Sequence, residues 1–203
     1  MQDTFKELSD AELLGLYGEG DESAFRELVE RYKNSLYAFL KQFLNRHDLV
    51  EDVFQETFLQ LYSSRSSFDM SRPLRPWLFT IAANKAKDAL RKSQRNTAVS
   101  IGTLSASDDM SFQDVLNTLS HNDEIPVHLL ESEETTTKVN QVVTNMPETL
   151  REILILAYFN KFSYKQMADI LSIPIGTVKS RLHTAVARFA RDWKTALAKE
   201  VNE

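Results

Sequence analysis

The sequence contains no cysteine, and it has only 5 glycines and 5 prolines among its 203 residues. The absence of cysteine excludes disulfide frameworks, thiolate zinc sites and cysteine nucleophiles. The histidines are too widely spaced to indicate a zinc site; they are His47, His121, His128 and His183. The scarcity of helix-breaking residues, together with few alternating β-branched runs, predicts an all-α protein.

The chain also lacks long apolar runs and recognisable catalytic motifs. No apolar stretch approaches the ~18 residues of a membrane span, and the first residues do not have the pattern of a signal peptide, so we expect a cytoplasmic protein without membrane insertion. There is no phosphate-binding glycine loop, metal-ligand spacing or nucleophile–base set. We therefore expect no enzymatic activity, cofactor, metal or small-molecule substrate. The carboxylates of Asp52 and Glu56, one helical turn apart, are explained by a solvated helix face.

Charge is distributed unevenly along the chain, although the net charge is only −5. Residues 96–137 contain no lysine or arginine and carry a charge of −8, which leaves +3 for the remainder. Residues 72–95 contain seven lysines or arginines and one acidic residue, Asp88. Because clustered basic charge is typical of phosphate contact, this segment is a candidate nucleic-acid surface.

The amino-terminal half shows three helical patterns. Apolar residues at three- and four-residue steps predict one long helix over residues 25–43. Asp48 is predicted to cap a second helix, with Glu51 completing a capping box. Residues 63–76, with two prolines, predict an exposed loop. A third helix is expected over residues 77–95, with its lysines and arginines outside.

The carboxy-terminal half shows a helix-turn-helix pattern after a linker rich in serine, threonine and aspartate. Ser163 and Gln166 have capping-box spacing, and residues 172–174 predict a turn because proline ends one helix and is tolerated where the next begins. The second helix has a basic outer face and buries Val178 and Phe189. This geometry fits a unit that enters the major groove, but on the pattern alone a plain solvated face is about equally well supported.

Four stretches then resemble one family, in that family's order. IPIGTVKSRLHTAVARF and MPETLREILILAYFNKFSYKQMADIL resemble region 4 of the sigma-70 family, in its extracytoplasmic-function branch. DLVEDVFQETFLQLY resembles the core-polymerase-binding helix of region 2, and RPWLFTIAANKAKDALRK resembles the helix that meets the minus-ten promoter element. Together they cover residues ~24–95 and ~139–193.

The resemblance implies two small helical domains, region 2 over 1–95 and region 4 over 138–203, joined by a flexible acidic linker over 96–137. It implies a sigma factor that binds bacterial core RNA polymerase, recognises the minus-thirty-five and minus-ten elements and promotes DNA melting. An anti-sigma factor is a further expected partner. The alternative is a stand-alone helix-turn-helix regulator, which binds duplex DNA without polymerase. The linker is either an RNA mimic in the polymerase's RNA channel or a plain tether.

The resemblance also assigns roles to individual residues. Expected contacts with core polymerase are Asp52, Gln55 and Glu56. Expected contacts with minus-ten DNA are Phe68, Asp69, Asn84, Lys85, Lys87, Arg91 and Lys92, of which Asn84 bonds a base edge and the cations neutralise phosphates. Expected contacts with minus-thirty-five DNA are Thr177, Lys179, Ser180, Arg181, His183, Thr184 and Arg188.

At three positions the expected role is open or departs from the family pattern. Trp77 is either a core residue, which its helical phase favours, or a wedge at the DNA fork. Thr184 and Val186 occupy positions where the family commonly has arginine. The usual minus-thirty-five consensus is therefore not expected, because a threonine is less base-selective than a bidentate arginine.

Overall fold

The computed structural model describes residues 5–64, 68–69, 71–98 and 133–200, and every regular element in these ranges is helical. The helices are α1 Asp10–Gly18, α2 Glu22–Leu44, α3 His47–Ser63, α4 Leu74–Ala98, α5 Glu133–Thr144, α6 Glu148–Leu154, α7 Tyr164–Leu171 and α8 Ile175–Glu200. A π-helical turn, Ile155–Phe159, follows α6 directly. The prediction of an all-α fold is confirmed.

Helix α1 was not predicted, although its start carries a clear signal. Ser9 and Glu12 form a complete capping box, which satisfies backbone N–H groups that have no partner within the helix. Asp10 then accepts hydrogen bonds from the Tyr32 hydroxyl and from Arg31 Nη1, the latter at 2.7 Å. These bonds fix α1 against α2.

Helix α2 forms the centre of the amino-terminal half and confirms the long helix predicted there. Its N-cap Asp21 accepts from the Ser23 amide at 2.9 Å. Its end at Asn45 has a left-handed conformation with φ 51°, which asparagine tolerates well. The buried positions recur at steps of three and four; they are Ala24, Leu28, Tyr32, Leu36, Phe39, Leu40, Phe43 and Leu44.

The predicted capping box at the start of α3 is wrong. The helix begins at His47, one residue earlier, and its N-cap Arg46 makes no side-chain capping bond. Asp48 binds the Arg46 guanidinium instead, with its Oδ2 2.6 Å from Nη2, and Glu51 Oε1 lies 3.7 Å from His47 Nδ1. The arginine offers a charged donor, which binds a carboxylate more strongly than a backbone amide does. Asp48 therefore pairs with Arg46 and does not cap the helix.

Helix α4 begins three residues earlier than predicted, and its first turn includes Pro76. Proline is tolerated there, since the first backbone N–H groups of a helix have no carbonyl partner in any case. The helix then continues to Ala98. Both ends therefore extend beyond the predicted 77–95.

The helix-turn-helix is formed as predicted. Ser163 and Gln166 make both bonds of a capping box at the start of α7. Ser172 ends this helix in the left-handed region with φ 53°, and α8 begins directly after Pro174. The core side of the hairpin consists of Met167, Ile170, Leu171, Val178, Leu182, Ala185 and Phe189.

The two halves pack against each other in one core, with α4 lying on α7. The rings of Phe79 and Phe162 meet edge-on, with centroids 4.9 Å apart. Gln42 Nε2 donates to Asn140 Oδ1 at 3.4 Å, which joins α2 to α5. Whether the two halves would be compact or separate was left open by the sequence analysis.

The predicted linker is only partly described. Helix α4 enters it from one side and α5 begins within it at Glu133. Residues 99–132 lie outside the described residues. The choice between an RNA mimic and a plain tether falls on these residues and stays open. The domain boundaries near 95 and 138 stay predictions.

Candidate nucleic-acid and polymerase interfaces

The outward face of α3 carries the residues that were predicted to contact polymerase. Asp52, Gln55 and Glu56 are all exposed, while the opposite face supplies Val53 and Leu61 to the core. The burial pattern thus separates a polar ridge from an apolar one, as an amphipathic helix requires.

This ridge continues into apolar residues that the sequence analysis did not include. Leu59 is 65% exposed and Tyr62 is 47% exposed. They follow Asp52, Gln55 and Glu56 at steps of three and four, and so lie on the same side of α3. A leucine on the polar side of a predicted helix was the sequence signal that could have identified this apolar extension. We call Asp52, Gln55, Glu56, Leu59 and Tyr62 the α3 ridge.

A cleft of about 540 Å³ separates the α3 ridge from α4. An ion pair crosses it between Lys85 Nζ and Glu56 Oε2, which are 3.1 Å apart. Glu56 is 60% exposed, so the pair contributes little to stability. It does join a predicted polymerase contact to a predicted DNA contact.

The predicted minus-ten loop is described only at Phe68, Asp69 and from Ser71 onward. The Phe68 ring packs on Trp77 with centroids 4.6 Å apart. Asp69 Oδ1 accepts from the Ser71 hydroxyl at 2.7 Å and from its amide at 3.0 Å. These bonds, followed by Arg72, hold the pKa of Asp69 below its usual value. The loop end is therefore ordered by local bonds and by Trp77.

Helix α4 presents several of its predicted DNA contacts outward. Asn84, Arg91 and Lys92 are exposed, and Lys85 is half-buried. Arg91 Nη1 lies 3.2 Å from Asp88 Oδ1 on the same surface, an exposed pair that a phosphate can readily replace. This side of the helix is open to a nucleic acid.

Lys87 was predicted to lie outside, and that prediction is wrong. Its Nζ is 2.9 Å from Oε1 of Glu152 on α6, and its side chain is only 20% exposed. Glu152 is 3% exposed; burial raises the pKa of its carboxyl group, and Lys87 acts in the opposite direction. The helical phase of Lys87 explains the error, because it follows Phe79 and Ala83 at four-residue steps, and both are fully buried.

Arg75 begins the same buried line of α4. Its Nη2 donates to the backbone carbonyl oxygen of Asn160 at 2.9 Å, and its guanidinium carbon lies 4.5 Å from the centre of the Phe162 ring. The carboxy-terminal half therefore covers a face of α4 formed by Arg75, Phe79, Ala83 and Lys87, which we call the covered face. The two basic residues of this face are engaged by Asn160, Phe162 and Glu152.

Helix α8 exposes only part of its predicted reading surface. Lys179, Ser180 and His183 are exposed, whereas Thr177, Arg181, Thr184 and Arg188 are half-buried. The Thr184 hydroxyl donates to the Ser180 carbonyl at 3.0 Å, which agrees with a weak role in base recognition. Arg188 Nε donates to Asp192 Oδ2 at 2.6 Å, which restrains it beside its own helix.

Within the described residues there is no group of three or more His, Asp or Glu side chains that could hold a metal ion. No helix in the described ranges is long and apolar enough to cross a membrane. The candidate binding surfaces on the described part of the chain are the outer face of α4, the exposed face of α8 and the α3 ridge.

Comparisons with known families match both halves of this arrangement. Residues 28–96 match sigma-70 region 2, and residues 137–189 match sigma-70 region 4. The helical bundle and the helix-turn-helix thus define a sigma subunit of RNA polymerase. The chain belongs to the sigma-70 family, in its extracytoplasmic-function branch, and it is a transcription initiation factor.

Its relatives have nearly the same extent. It is 31% identical to the ECF RNA polymerase sigma-E factor of Haemophilus influenzae, over 89% of this chain and 93% of that protein. It is 28% identical to the ECF RNA polymerase sigma factor SigW of Bacillus subtilis, over 81% of this chain and 86% of that protein. The sigma factor RpoE of Bartonella quintana, solved in complex with the anti-sigma factor NepR, matches with a TM-score of 0.63 and 26% identity over 84% of this chain and 96% of that one.

The prediction of family and function is confirmed, and the stand-alone regulator is not favoured because the match includes region 2. The roles of individual residues stay predictions.

Proposed function

We propose that the protein binds bacterial core RNA polymerase through the α3 ridge and holds promoter DNA with the outer face of α4 and with α8. Region 2 ends near residue 95 and region 4 begins near 138. The observation that carries the proposal is the presence of three exposed, chemically distinct surfaces on helices of the two matched regions. The chain acts by binding alone, in the cytoplasm where polymerase works.

The α3 ridge suits a basic protein partner. Asp52 and Glu56 supply negative charge, Gln55 supplies hydrogen bonds, and Leu59 supplies an apolar anchor. Interfaces commonly combine a small apolar centre with a polar rim. The 65% exposure of Leu59 means that a partner can cover it without any rearrangement of α3.

The outer face of α4 suits the minus-ten element. Asn84 is exposed beside Lys85, Arg91 and Lys92, so a base-reading amide has phosphate-binding cations around it. Phosphate contacts set the position of the DNA, and base contacts select its sequence. Phe68 and Asp69 lie at the start of this surface, where they contact the minus-ten base that is displaced from the stack. Melting needs no hydrolysis, because binding to a displaced base offsets the few kcal/mol of unstacking.

The exposed face of α8 suits the minus-thirty-five element. Lys179, Ser180 and His183 project from the amino-terminal part of a helix that follows a tight turn, as in recognition helices. Thr177 lies at the helix start, where backbone N–H groups attract phosphate. Arg181 and Arg188 contact the phosphate backbone of the DNA. Thr184 makes a weak contact with a base.

The test is transcription by purified core polymerase with and without the protein, on fragmented genomic DNA. We expect new start sites that share two upstream elements. Binding of duplex DNA in the absence of polymerase, with no new start site, would favour the stand-alone regulator instead.

An anti-sigma factor is the expected inhibitor, since the Bartonella quintana relative was solved with one. A candidate that copurifies with this chain should abolish the new transcripts when it is added before core polymerase. A copurifying protein that leaves transcription unchanged is not an inhibitor.

A further inference from the structure

One aromatic contact joins the described end of the minus-ten loop to α4. The rings of Phe68 and Trp77 have their centroids 4.6 Å apart, at a tilt of 43°. Both residues are half-buried, and both pack against the hydrophobic core. Trp77 lies in the first turn of a long helix, whereas Phe68 lies on the loop that precedes this helix. The contact therefore connects a loop residue to a rigid element.

The backbone that follows Phe68 is shaped by polar bonds. Asp69 Oδ1 accepts from the Ser71 amide at 3.0 Å and from the Ser71 hydroxyl at 2.7 Å, and the Arg72 amide donates to the Asp69 carbonyl at 2.9 Å. These bonds join residues within one turn, so they set its local shape. The contact between Phe68 and Trp77 orients this turn against α4.

Trp77 lies on the same side of α4 as the predicted base-reading residue Asn84. A separation of seven residues is just under two helical turns, or ~10 Å along the axis. Asn84 is exposed, and Trp77 is only half-buried although its side chain is much larger. The pair of rings therefore stands at the beginning of the outer face of α4, in line with Asn84.

The packing of Phe68 on Trp77 bears on the two roles that were considered for Trp77. Aromatic pairs at this distance are more stable than their buried area alone would make them. Insertion of the Trp77 ring as a wedge between bases would require Phe68 to leave it, and Phe68 belongs to the surface that is proposed to receive the displaced base. The geometry therefore favours a role in which Trp77 keeps Phe68 in place.

We propose that Trp77 is a positioning residue for minus-ten recognition. Its ring holds Phe68 and so determines where the displaced base is received, and Trp77 itself does not contact the DNA. This inference rests on the proposed function for the displaced base, but the packing of Phe68 on Trp77 in the free protein does not.

The packing is tested in the free protein by tryptophan fluorescence. The chain has two tryptophans, Trp77 and Trp193, so Trp193→Phe leaves Trp77 as the only reporter. In that background Phe68→Ala should shift the emission to longer wavelength and increase its quenching by acrylamide, because the Trp77 ring becomes more exposed to water. Unchanged emission and quenching in Phe68→Ala would overturn the proposal.

The matched control for this experiment is Tyr37→Ala. It removes a half-buried ring from another aromatic pair of the same half of the chain, in which Tyr37 and Phe54 have their centroids 5.7 Å apart. The emission of Trp77 should stay unchanged in this variant. An equal shift in Tyr37→Ala and in Phe68→Ala would indicate a general loosening of the core and would also overturn the proposal.

The positioning role is tested with holoenzyme on a promoter mapped as above, and on versions of it that are substituted at single minus-ten bases. Trp77→Ala should reduce the preference for the original base at one of these positions about 2- to 12-fold, the range that corresponds to one aromatic pair. Trp77→Phe keeps an aromatic partner for Phe68 and should restore the preference. Trp77→Ala should add no further loss to that of Phe68→Ala, because it acts only through the Phe68 ring.

A template whose minus-ten region is already unpaired by mismatches separates positioning from wedging. The defect of Trp77→Ala should persist on this template, since the position of the loop is affected and not the opening of the duplex. A defect that disappears there would assign Trp77 to the wedge. An equal loss at every minus-ten position, shared by Tyr37→Ala, would indicate a structural role only.

Failure of the unchanged protein to direct transcription with core polymerase would have a different meaning. It would overturn the proposed function, and with it the role of Trp77 at the displaced base. The fluorescence result would still decide whether Phe68 packs on Trp77.

Discussion

Asn84 is the residue on which reading of the minus-ten element depends most directly. It is exposed on α4, and Lys85, Arg91 and Lys92 follow it toward the carboxyl end of the helix. A bidentate contact to a base is worth ~1–3 kcal/mol of discrimination.

We therefore expect Asn84→Ala to reduce open-complex formation about 5- to 150-fold, the range that corresponds to such a contact. Permanganate reactivity of unpaired thymines at a mapped promoter measures it. Asp88→Ala, one turn along the same exposed surface, is the matched control and should not reduce opening. An Asn84→Ala protein that opens promoters normally would remove Asn84 from the site.

Lys179 is the corresponding residue of region 4. It is exposed in the first turns of α8, and its Nζ lies 6.0 Å from the centre of the Tyr164 ring at the start of α7. Lys179→Ala should weaken binding of the minus-thirty-five element, measured by competition between promoter fragments with and without that element. Lys194→Ala, near the other end of α8, should leave the preference intact. Equal loss in both variants would indicate a general charge effect.

At the scale of single helices, the α3 ridge can be separated from the fold because its apolar member is on the surface. Leu59→Asp should preserve the helical circular dichroism and weaken association with core polymerase about 30-fold or more, since an interface anchor is worth ~2 kcal/mol or more. Glu30→Gln, which changes an exposed carboxylate on α2, should associate normally. Titration of labelled protein with core polymerase measures both, and unchanged affinity of Leu59→Asp would exclude the ridge.

The helix ends show where sequence reasoning succeeds and where it fails. The Ser163–Gln166 box was predictable because both partners are local and no stronger partner is near. The Asp48–Glu51 box failed because Arg46, only two residues away, binds Asp48 more strongly than a backbone amide does. Helix α1 was missed although Ser9 and Glu12 have the same spacing.

Contacts between distant segments were less accessible to sequence reasoning. The steps from Arg75 through Phe79 to Lys87 place these residues on one face of α4, and that much can be derived from helical periodicity. Nothing in the periodicity indicates that α6 supplies a carboxylate to Lys87. The inward position of Lys87 thus required the structure, whereas the exposure of Lys179 and Asn84 did not.

At the scale of the whole molecule, the packing of the two halves against each other should depend on pH through Glu152. Burial between the two halves raises the pKa of this carboxyl group, so their packing favours its protonated form. The groups that face it are Lys87 from α4, Arg181 from α8 and Glu148 from α6. The resulting stabilisation is fully present below the ordinary glutamate pKa and is lost as the pH rises through the raised value.

Energy transfer between dyes attached at Glu19→Cys and Lys165→Cys, one exposed position on each half, should therefore increase as the pH falls from 8 toward 5. Glu152→Gln lacks the titrating group and should show a flat profile over the same range. A rise of equal size in Glu152→Gln would assign the effect to other groups.

The central claim is that two modules of one chain hold one promoter together, and the spacing between the promoter elements tests it most directly. Inserting five base pairs between the two mapped elements rotates them by about half a helical turn. The account predicts that initiation by core polymerase with this protein then falls at least about tenfold, and that it recovers when the original spacing is restored by deletion. Initiation that is indifferent to the insertion would contradict the account.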